Sequence, residues 1–168
     1  MLKDKASYHV TARSNYKKLL LEPAAVKKMF LDVVARAKEI YSFRLENYVL
    51  MGNHFHFIIH PTNGSNLSMI MKWIMQTFAI RYNKANGLIG HFWGDRFFSY
   101  IIPNYQEYLR VFFYIDNNPV KAELVSTPWD WKWCALWLRR TIKPDWLDDI
   151  PLWVRSVLPL PPLLTTNN

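Results

Sequence analysis

The stretch "NHFHFIIHP", Asn53 to Pro61, sets His54, His56 and His60 at alternate positions inside a short apolar run. Side chains alternate across a β-strand, so His54, His56, Ile58 and His60 share one face while Phe55, Phe57 and Ile59 share the other. Residues i and i+2 stand roughly 6.5 to 7 Å apart along a strand, close enough for two imidazoles to converge on one cation. A His-x-His pair is therefore a chelating geometry, although the same pair is also served by ordinary hydrogen bonds. His60, beside Pro61 at the strand end, reads as a bystander. Cys134 is the single cysteine, which rules out a disulfide framework or a cysteine-based zinc ribbon, so any further metal donor must be His, Asn, Asp or Glu.

Some sixty residues on, "YLRVFFYIDNN" reads as a helix. At about 100° per residue, Tyr105, Tyr108, Leu109, Phe112 and Ile115 fall in one apolar arc. Glu107, Arg110, Val111, Tyr114 and Asn118 fall opposite, and Tyr114 and Asn118, four apart, are surface neighbours. A phenol beside a carboxamide fits either a reactive pair or a solvated tyrosine next to a helix-end asparagine. Asp116 lies close to the apolar arc with no evident reason.

The elements that must hold these groups follow from local patterning. "SYHVTARS" (Ser7 to Ser14) reads as a strand. Ala24 to Tyr41 reads as an amphipathic helix introduced by Pro23. "SFRLENYVLMG" and "HFHFIIH" are strand-like runs split by Gly52-Asn53. Leu67 to Tyr82, with Ser65 or Asn66 as cap, is helical again, and "NKANGLIG" breaks it. "DRFFSYIIP" (Asp95 to Pro103) is a further strand. A third helix is capped by Asn104, with Glu107 at the capping-box position, and Pro119 closes it. Strand, helix, strand, strand, helix, strand is the ferredoxin-like βαββαβ order: an α+β fold with an antiparallel sheet and its helices on one face. The added helix with Tyr114 and a Trp-rich C-terminal segment complete the chain.

At 168 residues, 51% of them hydrophobic and 16% aromatic, the chain fits one domain over 1–158, with a core of about 7–125, a C-terminal extension over 126–158 and a flexible tail at 159–168. The net charge of +8, from 21 Lys and Arg against 13 Asp and Glu, points to a polyanionic partner, nucleic acid first. No run approaches a membrane span and the first residues lack a signal-peptide core, which points to the cytoplasm. Trp129, Trp131 and Trp133 suit either base stacking or packing of the C-terminal segment.

"YHVTARSN", "NYVLMGNHFHFIIHP" and "YLRVFFYIDNNPVKAELV", in that order, resemble the single-tyrosine HUH transposases, the IS200-like family, and within it the REP-associated tyrosine transposases. The resemblance covers roughly Tyr8 to Trp133. It implies a DNA transposase that cleaves and rejoins hairpin-flanked single strands through a covalent 5′-phosphotyrosine, with Tyr114 as nucleophile. It also implies His54, His56 and Asn118 as ligands of Mg²⁺ or Mn²⁺, and a monomer or homodimer. For DNA phosphates the candidates are Arg13, Lys17, Lys18, Lys72, Arg81, Lys84, Arg96, Lys121, Arg139 and Arg140. Two other readings stay open: a HUH nickase of the replication-initiator or relaxase kind, and a non-catalytic ferredoxin-like nucleic-acid-binding module.

Overall fold

The computed structural model describes residues 6–141 and 143–157; the tail expected at 159–168 lies outside the described residues. Four strands, β1 (Tyr8–Arg13), β2 (Phe43–Leu50), β3 (His54–Pro61) and β4 (Phe98–Ile101), form one sheet in the order β2-β3-β1-β4 with every neighbour antiparallel. The connections β1–α1–β2 and β3–α2–β4, through α1 (Ala24–Ile40) and α2 (Leu67–Asn86), each cross over one intervening strand. This is the ferredoxin-like arrangement expected from the element order.

The two faces of the sheet are set by strand alternation. Tyr8, Val10, Phe55, Phe57 and Ile59 pack against Phe30, Val33 and Val34 of α1 and Ile70, Ile74 and Phe78 of α2 in one cluster. Burying a large side chain of this kind is worth about 1.5–3 kcal/mol, so the phenylalanines of β3 decide which way the strand faces. The alternation in β2 does not run straight through. The register shifts between Leu45 and Asn47, so Leu45 opposite Ile59 and Tyr48 opposite Phe57 share the α1/α2 face despite their odd spacing. Glu46 is the extra residue of this β-bulge, and its insertion turns Asn47 and Val49 toward the other face.

That other face is covered, where the sequence suggested it was open. Helix α3 (Tyr105–Asp116) lies across it, and Val49 and Ile58 of the sheet pack with Tyr108, Val111, Phe112 and Ile115. The buried stripe of α3 is thus rotated from the expected arc: Val111 is buried, whereas Tyr105 is 59% exposed and Leu109 half-buried. The rotation follows from polar anchors that a wheel of hydrophobicity does not weigh. Tyr108 Oη donates to Glu46 Oε2 at 2.6 Å, and Asn47 Nδ2 donates to Asp116 Oδ1 at 2.9 Å. The bulge of β2 therefore supplies both partners that fix the helix. Asp116, without a reason in the sequence, is fully buried by this contact, and its pKa is pushed up to about 7 by burial, the Asn47 hydrogen bond working the other way.

Helix ends differ in detail from the sequence reading. Asn66 Oδ1 accepts from Ser68 N and Met69 N as the α2 cap, and the helix runs on to Asn86 before Gly87, at φ 63, ends it in the left-handed region. Asn104 Oδ1 accepts from Glu107 N, but the Glu107 carboxylate takes the Arg110 guanidinium and Tyr100 Oη instead of closing a capping box. Pro119 does not end the helical path. It sits in the first turn of a short α4 (Asn118–Lys121), where its missing N–H costs nothing. Strand β4 is shorter than expected, since Asp95 and Arg96 belong to a loop.

The C-terminal segment closes the free edge of β2. Leu50 N donates to Trp133 O and Trp131 Nε1 to Leu50 O, while Leu45 N donates to the Asp148 carboxylate and Asp148 N returns to Leu45 O. Trp131 and Trp133 also flank the Lys27 ammonium of α1 at 5.6 and 5.9 Å, so these rings pack the segment down. A covered edge cannot pair with another chain.

Asp116 gives a test of this packing. A carboxyl whose folded pKa is raised adds stability below its unfolded pKa, and that contribution is lost as pH rises toward about 7. The stability of Asp116→Asn relative to the parent chain is expected to grow by a few kcal/mol between pH 4 and pH 7.5, read by urea unfolding at both. A constant difference would mean that Asp116 is ionised at both values.

Candidate active site

The face of the sheet opposite α1 and α2 gathers His9, Thr11 and Arg13 from β1, His54 and His56 from β3, and Phe98 and Tyr100 from β4. Against it stand Tyr114 of α3 and Asn118 and Lys121 of α4. The His54 and His56 rings are 5.1 Å apart and nearly perpendicular, and the Tyr114 ring meets His56 edge-on at 5.3 Å. Tyr114, at the rim of the buried stripe of α3, faces the histidines of its own chain instead of solvent. The Lys121 Nζ lies 5.0 Å from the Tyr114 ring centroid.

Hydrogen bonds fix both imidazoles. His54 Nδ1 donates to Asn53 Oδ1 at 2.7 Å, and Asn53 Nδ2 donates to Lys17 O at 2.9 Å. The Asn118 side chain acts on His54, raising its pKa against the effect of burial. His56 Nδ1 pairs with His9 Nε2 at 2.9 Å, whereas His56 Nε2 is buried with no protein partner. An orphaned buried nitrogen 5.1 Å, ring to ring, from a second imidazole fits the chemistry of a bound cation. Among the described residues no group of three or more His, Cys, Asp or Glu is placed to hold a metal.

The electrostatics keep these imidazoles neutral. His54 is lowered to about 4 by burial first and then by the Arg13 guanidinium, against the effect of the Asn118 side chain. His56 is lowered to about 3 by burial, His9, His54 and Arg13. His9 is lowered to about 4, chiefly by burial. Near pH 7 all three are neutral, the form that coordinates metal.

A cleft of about 570 Å³ opens from this cluster, lined by Arg13, Tyr16, Lys17, Arg96 and Phe98 together with His54, His56 and Tyr114. Tyr16 and Lys17 hold φ of 53 and 56, a left-handed pair that costs side-chain-bearing residues about 1–3 kcal/mol each. The turn is kept by Ser14 N to Asn53 O and Asn15 N to Phe92 O, and leaves the Tyr16 ring 84% exposed at the cleft.

The basic residues picked out by charge divide into groups. Arg13, Lys17 and Arg96 line the cleft, Lys121 stands at Tyr114, and Lys18 neighbours Tyr16. Arg81 and Lys84 line a separate groove with Lys28 and Asp32 between α1 and α2, behind the sheet, and Lys72 is exposed on α2. Arg139 was expected at DNA but is taken up internally, since its guanidinium donates to Glu46 O at 2.6 Å and Asp148 O at 3.1 Å to hold the segment on β2. Arg140 stacks over Trp129 at 5.0 Å. His60, paired with Ser7 Oγ at 3.2 Å, stays apart from the cluster.

Sequence reasoning missed His9, Asn53, Tyr16 and Phe98. His9 alternates with Tyr8 and Val10, a signal that acquires meaning only once β1 is placed beside β3.

The sequence profile of the family described as "Transposase IS200 like" matches residues 3–118, most of the chain. A solved structure of a REP-associated tyrosine transposase bound to a REP hairpin superposes with a TM-score of 0.72 at 24% identity, over 90% of each chain, which establishes the shared fold. A putative transposase from Deinococcus radiodurans R1 matches at 16% identity and a TM-score of 0.48, over 69% of this chain and 92% of that one. No curated protein matches.

Replacing Arg13 by Gln removes a positive charge beside the histidines, so proton uptake becomes easier. His54 is expected to titrate above its value of about 4 while staying below 6.5, because burial remains the leading cause. Side-chain NMR of the metal-free protein reads this, and an unmoved His54 would exclude the charge contact.

Proposed function

The chain belongs to the IS200-like transposase family, and from that premise we propose that it cleaves and rejoins single-stranded DNA at hairpin-flanked sites with Tyr114 as nucleophile. The observation that carries the reading is the Tyr114 ring, 5.3 Å from His56, at a cleft lined by Arg13, Lys17 and Arg96. The same chain contributes tyrosine and histidines, which supports an active site completed in cis whether the protein is a monomer or a homodimer. The chain works as one domain over residues 1–158, with the segment from 126 closing the β2 edge.

In the proposed reaction the phosphodiester is bound with its anionic oxygens toward Arg13, Lys17 and Arg96, which offset the charge that repels a nucleophile. His54 and His56, neutral at working pH, and the Asn118 amide are the proposed holders of Mg²⁺ or Mn²⁺. When bound, such an ion neutralises and polarises the phosphate oxygens. A phenol ordinarily keeps its proton to about pH 10, so attack by Tyr114 requires that proton to be given up. Tyr114 Oη then bonds to phosphorus, the P–O3′ bond breaks, the phenolic proton passes to water and the departing 3′ oxygen takes one up. A 5′-phosphotyrosine and a free 3′-OH result. Attack of another 3′-OH on that phosphorus reverses the step and returns Oη to the tyrosine, joining strands with no external energy source. A half-buried Tyr114 beside a broad cleft suits this, because the ring is held while the incoming strand stays exchangeable.

Incubation with end-labelled hairpin DNA and Mn²⁺ is expected to yield a covalent protein–DNA adduct that Tyr114→Phe abolishes. His56→Ala should lower cleavage by at least two orders of magnitude while leaving hairpin affinity within a few-fold. Binding without adduct under any divalent ion would instead favour a non-catalytic DNA-binding module. Because the imidazoles are already neutral, Mn²⁺ affinity should be flat from pH 8 to about pH 5.5, and fall only as pH nears 4 and protons compete for His54 and His56. Calorimetric titration across that range checks it; a decline beginning near pH 6.5 would mean ordinary, solvated histidines.

A further inference from the structure

His9 takes no part in the reaction just described, yet it is buried at the site almost as fully as His56. The register places it opposite Ile58 on β3 and opposite Tyr100 on β4, so that Thr11 faces His56 and His9 reaches His56 along the diagonal. Its ring stacks on His56 at 5.0 Å with 29° between planes, and is boxed edge-on by Tyr100 at 5.2 Å and Tyr114 at 6.0 Å. Only 8% of the residue is exposed, so the side chain is held in one place.

The contact that matters is His9 Nε2 to His56 Nδ1, 2.9 Å. Two neutral imidazoles can share that contact in two ways. If His9 donates, the single proton of His56 must sit on Nε2, a buried atom with no protein acceptor, and that atom has no lone pair for a cation. If His56 donates from Nδ1, its Nε2 presents a lone pair into the cluster beside His54. Only the second arrangement suits coordination. A metal-bound imidazole is usually fixed in this way by a carboxylate or a carbonyl; here a second histidine occupies that place.

We propose that His9 is a positioning residue that accepts the Nδ1 proton of His56, and so fixes the His56 tautomer and ring plane that offer Nε2 to a divalent cation. The proposal rests on the reading of His54 and His56 as metal holders. It also accounts for a polar residue in the middle of β1, where Tyr8 and Val10 on either side serve the core. The effect of His9 passes through its bond to His56.

Mn²⁺ binding is measured by electron paramagnetic resonance on the full chain without DNA. His9→Leu, which keeps bulk but cannot accept a proton, is expected to weaken Mn²⁺ binding about 10- to 100-fold. His9→Gln, whose amide oxygen can take the Nε2 position, is expected to bind within about threefold of the parent. Excess Mn²⁺ should then restore the cleavage rate of His9→Leu at unchanged hairpin affinity, which loss of packing would not allow. Long-range ¹H–¹⁵N spectra of the Mg²⁺-loaded parent chain should show the His56 proton on Nδ1. Parent affinity in His9→Leu, or an Nε2 proton on His56, would overturn the role of His9 alone. Absence of Mn²⁺ binding by the parent chain would overturn the metal reading and this proposal with it. If His9→Leu fails to fold, the glutamine variant and the spectra of the parent chain still decide.

Discussion

The two-residue period of β3 is the constraint on which the molecule depends. Because successive side chains leave a strand on opposite faces, one run of eight residues commits Phe55, Phe57 and Ile59 to the core and His54 and His56 to the site. Slipping its pairing by one residue would bury the imidazoles under α1 and α2 and turn the phenylalanines toward the tyrosine. The free energy of burying the aromatic face therefore also orients the chemical face. As an inner strand, flanked by β2 and β1, β3 has its register fixed from both sides.

The second face is assembled by polar contacts. A bulge at Glu46 turns Asn47 toward α3, where Asn47 meets Asp116 and Glu46 meets Tyr108. These bonds set the rotation of the helix and put Tyr114 at the edge of its buried stripe, beside His56. Arg139 ties the C-terminal segment to the carbonyl of the same bulge residue. One irregularity in an edge strand thus serves the tyrosine helix and the edge closure together. Burial of polar groups on this scale is tolerable because Asn47 pairs with Asp116 and Tyr108 with Glu46.

Charge follows a similar division of labour. Arg13 adds to burial in lowering the pKa of His54 and His56 and also lines the cleft, so the side chain proposed to meet phosphate helps to keep the imidazoles neutral. Tyr16 and Lys17, held in a left-handed turn, bring an exposed ring and an ammonium to the same opening. The Arg81–Lys84 groove lies behind the sheet, out of reach of the tyrosine.

Local patterning was enough for the element order, the ferredoxin-like topology, the alternation of β3 and the presence of His54, His56, Tyr114 and Asn118 in one chain. These features are written in spacing, and spacing is local. The rotation of α3, the burial of Asp116 and the internal use of Arg139 depend on partners from 62 to 93 residues away, which no window of sequence contains. His9 is the clearest case. By itself it is one polar residue in a strand, and it becomes the partner of His56 only because the sheet sets β1 beside β3 in a register that brings their side chains within hydrogen-bond distance. Sequence supplied the chemical groups; tertiary packing decided which nitrogen of His56 is left free.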